Sequence, residues 1–151
     1  MFFKETATTE IYTLSLHDAL PVSLKHCNVP VVSASTGMCV GGGCEVLLHS
    51  DAVQAHAESY IGLVEVGVGI IPAWGGCKEM LGRFAANGHA PKGPMGPVMT
   101  AFELIGLAKV AQAAHQAQEF GFLEENTRTT RNRSRLPNHA KPLCLELSVA
   151  H

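Results

Sequence analysis

Val29-Pro30-Val31-Val32-Ser33-Ala34-Ser35, followed by Gly37 and then Gly41-Gly42-Gly43-Cys44-Glu45-Val46-Leu47-Leu48-His49, decides the fold of this chain. The first run is apolar and rich in β-branched residues, with Pro30 near its start, and reads as a buried strand. Gly37 to Gly43 reads as a flexible turn, and Cys44 to His49 as a short helix. Ala52 to Ala57 follows as a second strand. Strand, glycine turn, helix and strand in that order predict an α/β layer arrangement. A glycine-rich turn opening a helix also leaves backbone N–H groups unpaired where the helix dipole favours negative charge. A tight turn that only lets the helix pack close on the strand is the plainer reading, and spacing alone does not choose between them.

Two carboxylates lie outward from this stretch. Glu45 stands in the first turn of the helix, where it could do no more than complement the dipole. Glu65 lies in Ile61-Gly62-Leu63-Val64-Glu65-Val66-Gly67, whose apolar neighbours would bury it. Burial of an unpartnered carboxylate is costly and raises its pKa, and such groups concentrate at catalytic sites. The competing reading is an ion pair with Lys78 or Arg83. Two carboxylates beside exposed amide donors can stabilise an oxyanion and move protons around it. Asp51, Glu58 and Glu79 read as surface or capping groups, and His49 and His56 as packed or partly exposed. Trp74 reads as a packing or substrate-tunnel residue.

Further along, Ile61 to Ile71 suits loop and short strand, Pro72 to Gly76 a turn, and Cys77 to Phe84 a helix. Residues 85–97 carry Pro91, Gly93, Pro94, Gly96 and Pro97 and read as a loop insertion. Val98 to Gly106 and Ala111 to Phe120 read as helices. Pro137 and Pro142 read as breakers ahead of a last short helix from Leu143 to Val149.

At 151 residues the chain suits one modest domain, and 46% hydrophobic against 16% charged residues is a globular composition. A net charge of −2 gives no case for nucleic acid, and the run Arg128, Arg131, Arg133 and Arg135 reads as a solvated tail. Five cysteines without a CxxC pair, and no secretory signal, fit reduced thiols in a cytoplasmic protein. The eight histidines lack zinc-helix spacing, so no metal site is expected. No apolar run approaches the ~20 residues that span a bilayer, so no membrane partner is expected.

Thr9-Glu10-Ile11-Tyr12-Thr13-Leu14-Ser15-Leu16-His17-Asp18-Ala19-Leu20-Pro21 resembles the translation of a sequencing-adapter read-through. On that reading residues 1–23 are not native and the domain began further upstream. The alternative is a short amphipathic helix with Ile11, Leu14, Leu16 and Leu20 on one face. The division expected is 1–23 adapter-like, 24–84 a core with both glutamates, 85–97 a loop insertion and 98–151 a helical region.

Gly37, Gly41, Gly42, Gly43, Cys44, Glu45, Asp51, Glu65, Gly69, Pro72, Gly75 and Gly76 together resemble the crotonase family of enoyl-CoA hydratases and isomerases. The surrounding residues are most similar to the hydratase portion of bifunctional proteins that also carry an NAD-dependent 3-hydroxyacyl-CoA dehydrogenase. The resemblance implies a truncated crotonase fold, an α/β ββα superhelix with a helical C-terminal part. It implies addition of water to trans-2-enoyl-CoA thioesters in fatty-acid β-oxidation, with Glu45 as base and Glu65 as acid. Gly42 would supply one oxyanion amide, the other coming from an earlier strand-to-helix turn with no counterpart in this chain. Gly41, Trp74 and Gly75 would line the substrate. The family usually has more glycine where Ala73 and Trp74 stand.

The resemblance also implies a coenzyme A thioester as substrate, no cofactor for hydration, and NAD only if the full-length parent carries a dehydrogenase domain. The implied partners are other copies, in a trimer-type homo-oligomer, or that linked domain. With half the site replaced, the chain as written is expected to show no hydratase activity. The alternatives are an enoyl-CoA isomerase or other acyl-CoA lyase, or a non-catalytic oligomerising fragment.

Overall fold

The computed structural model describes residues 19–86 and 91–150. The adapter-like stretch falls outside these as far as residue 18; residues 19–25 form a helix, α1. Strand β1 (Val32–Ser35) then runs parallel to β3 (Ala52–His56), with Val32 opposite Ala52, and β3 runs parallel to β5 (Arg128–Thr130). A second, two-stranded sheet pairs β2 (Met38–Val40) with β4 (Tyr60–Gly62), also in parallel. Helix α2 (Gly42–Leu48) links the two sheets, leaving β2 and returning to β3. A 3-10 turn (Glu65–Val68), α3 (Gly76–Ala86), α4 (Gly96–Gly106) and α5 (Ala114–Glu119) follow, and α6 (Leu136–Ala150) comes after β5 and a second 3-10 turn, Arg133–Arg135. Strands joined through helices, all in parallel pairs, are the expected α/β arrangement.

The core forms where α2, β4, α3 and α4 meet. Cys44, Leu47 and Leu48 from α2 pack with Ile61, Leu63, Met80 and Leu104. Each such aliphatic side chain contributes about 1.5–3 kcal/mol on burial. Asp51 caps the start of β1, its Oδ2 accepting the Val31 N–H at 2.7 Å, and Glu58 is exposed, as expected of both. No helix among the described residues is long and apolar enough to cross a membrane.

Several expectations need correction. The run from Gly37 to Gly43 is not turn throughout: Met38, Cys39 and Val40 form β2, because Tyr60 to Gly62 offers them a parallel partner. The strand expected to be buried is only half so, with Ala34 exposed. Within the region expected to be helical, Arg128 to Thr130 is a strand on β3, and Arg128 pairs with Glu146 at 2.7 Å, so the basic run is folded. Helix α6 begins seven residues earlier than Leu143 and passes through both prolines. Pro137 sits in the first turn, where its missing N–H has no helical acceptor to serve, whereas Pro142 lies inside the helix. Helix α3 runs to Ala86 and α4 starts at Gly96, so the expected 85–97 loop narrows to the residues between; 87–90 lie outside the described set.

Candidate functional site

The glycine turn is shaped by backbone geometry. Gly41 has φ +57°, its N–H donates to the Gly62 carbonyl at 2.9 Å, and its carbonyl receives the Glu45 N–H at 3.0 Å. This stitches the start of α2 to the end of β4. A Cβ at Gly41 would also stand 3.3 Å from Glu65 Oε1, so glycine is needed for space as well as for the left-handed backbone. Gly42 opens α2, half-buried, and the Trp74 ring lies 3.4 Å from where its Cβ would be.

Glu45 is buried in the first turn of α2. Its Oε1 accepts two backbone N–H bonds, from Trp74 at 2.9 Å and Gly76 at 2.8 Å. Gly75 between them has φ +95°, which turns both amides toward one oxygen. Glu45 therefore does more than complement the helix dipole: it is anchored to the turn that opens α3.

Glu65 opens the 3-10 turn and is 8% exposed. Its Oε2 is buried with no hydrogen-bond partner among the described residues. Burial pushes its carboxyl above the ordinary value, and the charge of Glu45 adds to the rise. The ion pairs considered for it are made elsewhere. Lys78 pairs with Glu79 at 3.0 Å, and Arg83 donates to the Phe122 and Leu48 carbonyls.

The structure thus brings Glu45, Glu65, Gly41, Gly42, Trp74 and Gly75 into one neighbourhood, with Trp74 and Gly75 half-buried. Three further residues belong to it. Cys77, exposed on α3, has its thiol raised by partial burial and by both glutamates. His49, packed as expected, is buried and hydrogen-bonds through Nδ1 to the Glu45 carbonyl at 2.7 Å. Glu79, expected at the surface, is only 9% exposed. Burial alone would raise its carboxyl, but bonds from Lys25 and Lys78 hold it below the ordinary value. The signal for His49 was its place one helical turn after Glu45, and for Glu79 its place in the first turn of a helix that the glycines begin.

The sequence profile described as enoyl-CoA hydratase/isomerase matches residues 3–124. A Bacillus subtilis protein named "Probable 3-hydroxyacyl-CoA dehydrogenase" is 40% identical over 126 residues, which are 83% of this chain and 16% of that protein. The "Fatty acid oxidation complex subunit alpha" of Idiomarina loihiensis is 49% identical over 52 residues, 34% of this chain and 7% of that one. Among solved structures, the enoyl-CoA hydratase of Bacillus anthracis superposes with a TM-score of 0.69 at 24% identity, over 92% of this chain and 47% of that one. That of Polaromonas sp. JS666 gives 0.71 at 17%, over 96% and 50%. The chain spans about half the length of these structures, and their likeness shows a crotonase fold. With the fold, the glutamate pair and the profile over most of its length in agreement, the chain belongs to the enoyl-CoA hydratase/isomerase family.

Proposed function

We propose that Glu45 and Glu65 are the acid/base pair of a hydratase site that adds water to the double bond of a trans-2-enoyl-CoA thioester. One observation carries this reading: two buried carboxylates in one electrostatic neighbourhood are held by opposite means. Glu45 has an oxygen pinned by two amides, which suits a base that orients a water toward Cβ. Glu65 has a buried oxygen without a partner and a raised pKa, which suits an acid that delivers a proton to Cα. The water's O–H bond breaks toward Glu45 as its oxygen bonds Cβ, and the electron pair of the double bond moves onto the thioester as an enolate. The enolate then takes the proton of Glu65 at Cα, and a proton passing from Glu45 to Glu65 restores the pair.

Gly42 would donate its N–H to the thioester oxygen, with Gly41, Gly75 and Trp74 lining the acyl group. The second oxyanion donor belongs to an earlier strand-to-helix turn, and no such turn precedes β1 among the described residues. Lack of one such donor costs about 10²–10³ in rate, so a chain without it would turn over far more slowly while still holding an acyl-CoA. The names of the B. subtilis and I. loihiensis relatives support a parent that also carries 3-hydroxyacyl-CoA dehydrogenase activity in fatty-acid oxidation; a place in the cytoplasm, and a linked dehydrogenase domain or a homo-oligomer, are part of the proposal.

The test is acyl-CoA binding by calorimetry, with crotonyl-CoA hydration and 3-enoyl-CoA isomerisation assayed alongside in wild type, Glu45→Gln and Glu65→Gln. Binding, with any hydration lost in both variants, supports the reading. Isomerisation without hydration, hydration that survives in either variant, or no binding overturns it.

A further inference from the structure

We propose that His49 is a positioning residue for Glu45, tying the helix that carries this carboxylate to the turn that binds it. The role rests on Glu45 being the hydratase base; the geometry does not. His49 is 4% exposed and is the C-cap residue of α2, one turn after Glu45. Its Nδ1 donates to the Glu45 carbonyl at 2.7 Å, and the same carbonyl accepts the His49 backbone N–H at 3.2 Å. A carbonyl has no proton to give, so Nδ1 carries the hydrogen in this contact.

The other ring nitrogen faces α3. Nε2 stands 3.6 Å from Glu79 Oε1 and 3.1 Å from where a Cβ of Gly75 would be. Glu79 is fixed in turn: its N–H donates to the Gly75 carbonyl at 2.9 Å, and both its carboxylate oxygens take Lys25 Nζ at 2.6 Å. Lys78 Nζ completes the group at 3.0 Å. The histidine therefore touches the Glu45 main chain on one side. On the other it fills the space a side chain at Gly75 would need, beside the two amides, Trp74 and Gly76, that grip Oε1. A buried ring bonded to the Glu45 carbonyl through Nδ1 and packed against the start of α3 on its other edge resists sliding of α2 against that turn. Such sliding would lengthen both amide bonds to Glu45 and misplace its carboxylate.

Two substitutions separate the contacts. In His49→Asn the amide nitrogen occupies the place of Nδ1, and in His49→Gln it occupies that of Nε2. Hydrogen exchange at the Trp74 and Gly76 amides, followed by NMR on the full chain, reads the grip on Glu45 without a ligand. His49→Asn and His49→Gln, each keeping only one of the two contacts, are both expected to exchange about five- to tenfold faster at those two amides, with distant α4 amides unchanged. Wild-type exchange at those amides in either variant, or loosening spread evenly over the molecule, overturns the proposal. Should neither fold, Glu79→Gln is measured the same way: faster exchange at Trp74 and Gly76 supports the proposal and wild-type exchange overturns it. Acyl-CoA binding by the wild-type chain is measured separately, so a failure to bind counts against the hydratase reading and leaves the exchange result to judge His49.

Discussion

The charge on Glu45 adds to the burial that keeps Glu65 above its ordinary titration range. The consequence for stability has a definite sign. Glu65 is raised in the folded chain relative to the ordinary value of 4.5, so its favourable contribution is complete below that value and is lost as pH rises through the folded pKa. Above it the native state carries a buried charge with no partner on Oε2. Glu65→Gln is expected to stabilise the chain at pH 7 by on the order of 1 kcal/mol and to flatten that part of the stability–pH curve. Urea titrations from pH 4 to pH 8 measure both; a variant less stable than wild type at pH 7 contradicts the expectation.

Glu45 responds differently to the same kind of change. A glutamine keeps an oxygen for the amides of Trp74 and Gly76, whereas an alanine leaves both without an acceptor. Glu45→Gln is expected to stay within about 1 kcal/mol of wild type, and Glu45→Ala to lose about 2–3 kcal/mol. Chemical denaturation of the pair decides it, and equal losses would show that the amides find water instead.

Gly62 is the glycine beside the glutamate site with no room for a side chain. A Cβ there would lie 2.6 Å from the Lys109 carbonyl oxygen and 3.0 Å from Val110 Cα, both main-chain atoms. Its own carbonyl holds the Gly41 N–H, so displacement of β4 moves the glycine turn that opens α2 as well. Gly62→Ala is expected to cost about 3 kcal/mol or more. Gly43→Ala, where a Cβ meets open space, is expected to cost under about 1 kcal/mol. Thermal melts of the two variants give the comparison.

Thiol chemistry reports on the site without a substrate. Cys44 is fully buried and its thiol is raised strongly by that burial, then by Glu65, so it is expected to resist modification until the chain unfolds. Cys77 is exposed but raised by partial burial and by Glu45 and Glu65. Removing either charge lowers the Cys77 pKa and enlarges its thiolate fraction. Glu45→Gln is expected to speed its labelling by about two- to fivefold at pH 7, with exposed Cys27 as internal reference. Mass spectrometry of timed samples resolves the two thiols.

The α/β order around α2 was legible in the sequence because glycine and β-branched residues mark turns and strands through local sterics. Strand β2 was not, since three residues become a strand only through pairing with Tyr60 to Gly62, a partner that local pattern does not reveal. Arg128 to Thr130 was hidden by polarity, for only Thr130 of the three is buried. At the site, the burial of Glu65 could be read from its apolar neighbours. The anchoring of Glu45 could not, because its partners are main-chain amides, whose direction side-chain identity does not encode.

The parallel pairing of Gln54 with Arg128 has a kinetic side. Contacts of the glutamate site close short stretches of chain, 29 residues from Glu45 to Trp74 and 31 to Gly76, whereas Gln54 reaches Thr130 across 76. Loop-closure entropy grows with length, and long-range parallel pairing is slow. The Glu45 clasp is therefore expected to form ahead of the outer strand during refolding, and pulse-labelled exchange that protects the Thr130 amide before Gly76 would refute this order. A nascent chain would then carry a shaped glutamate pair while the edge of β3 was still open to pairing with another molecule, which makes that edge, rather than the site, the place where misassembly begins.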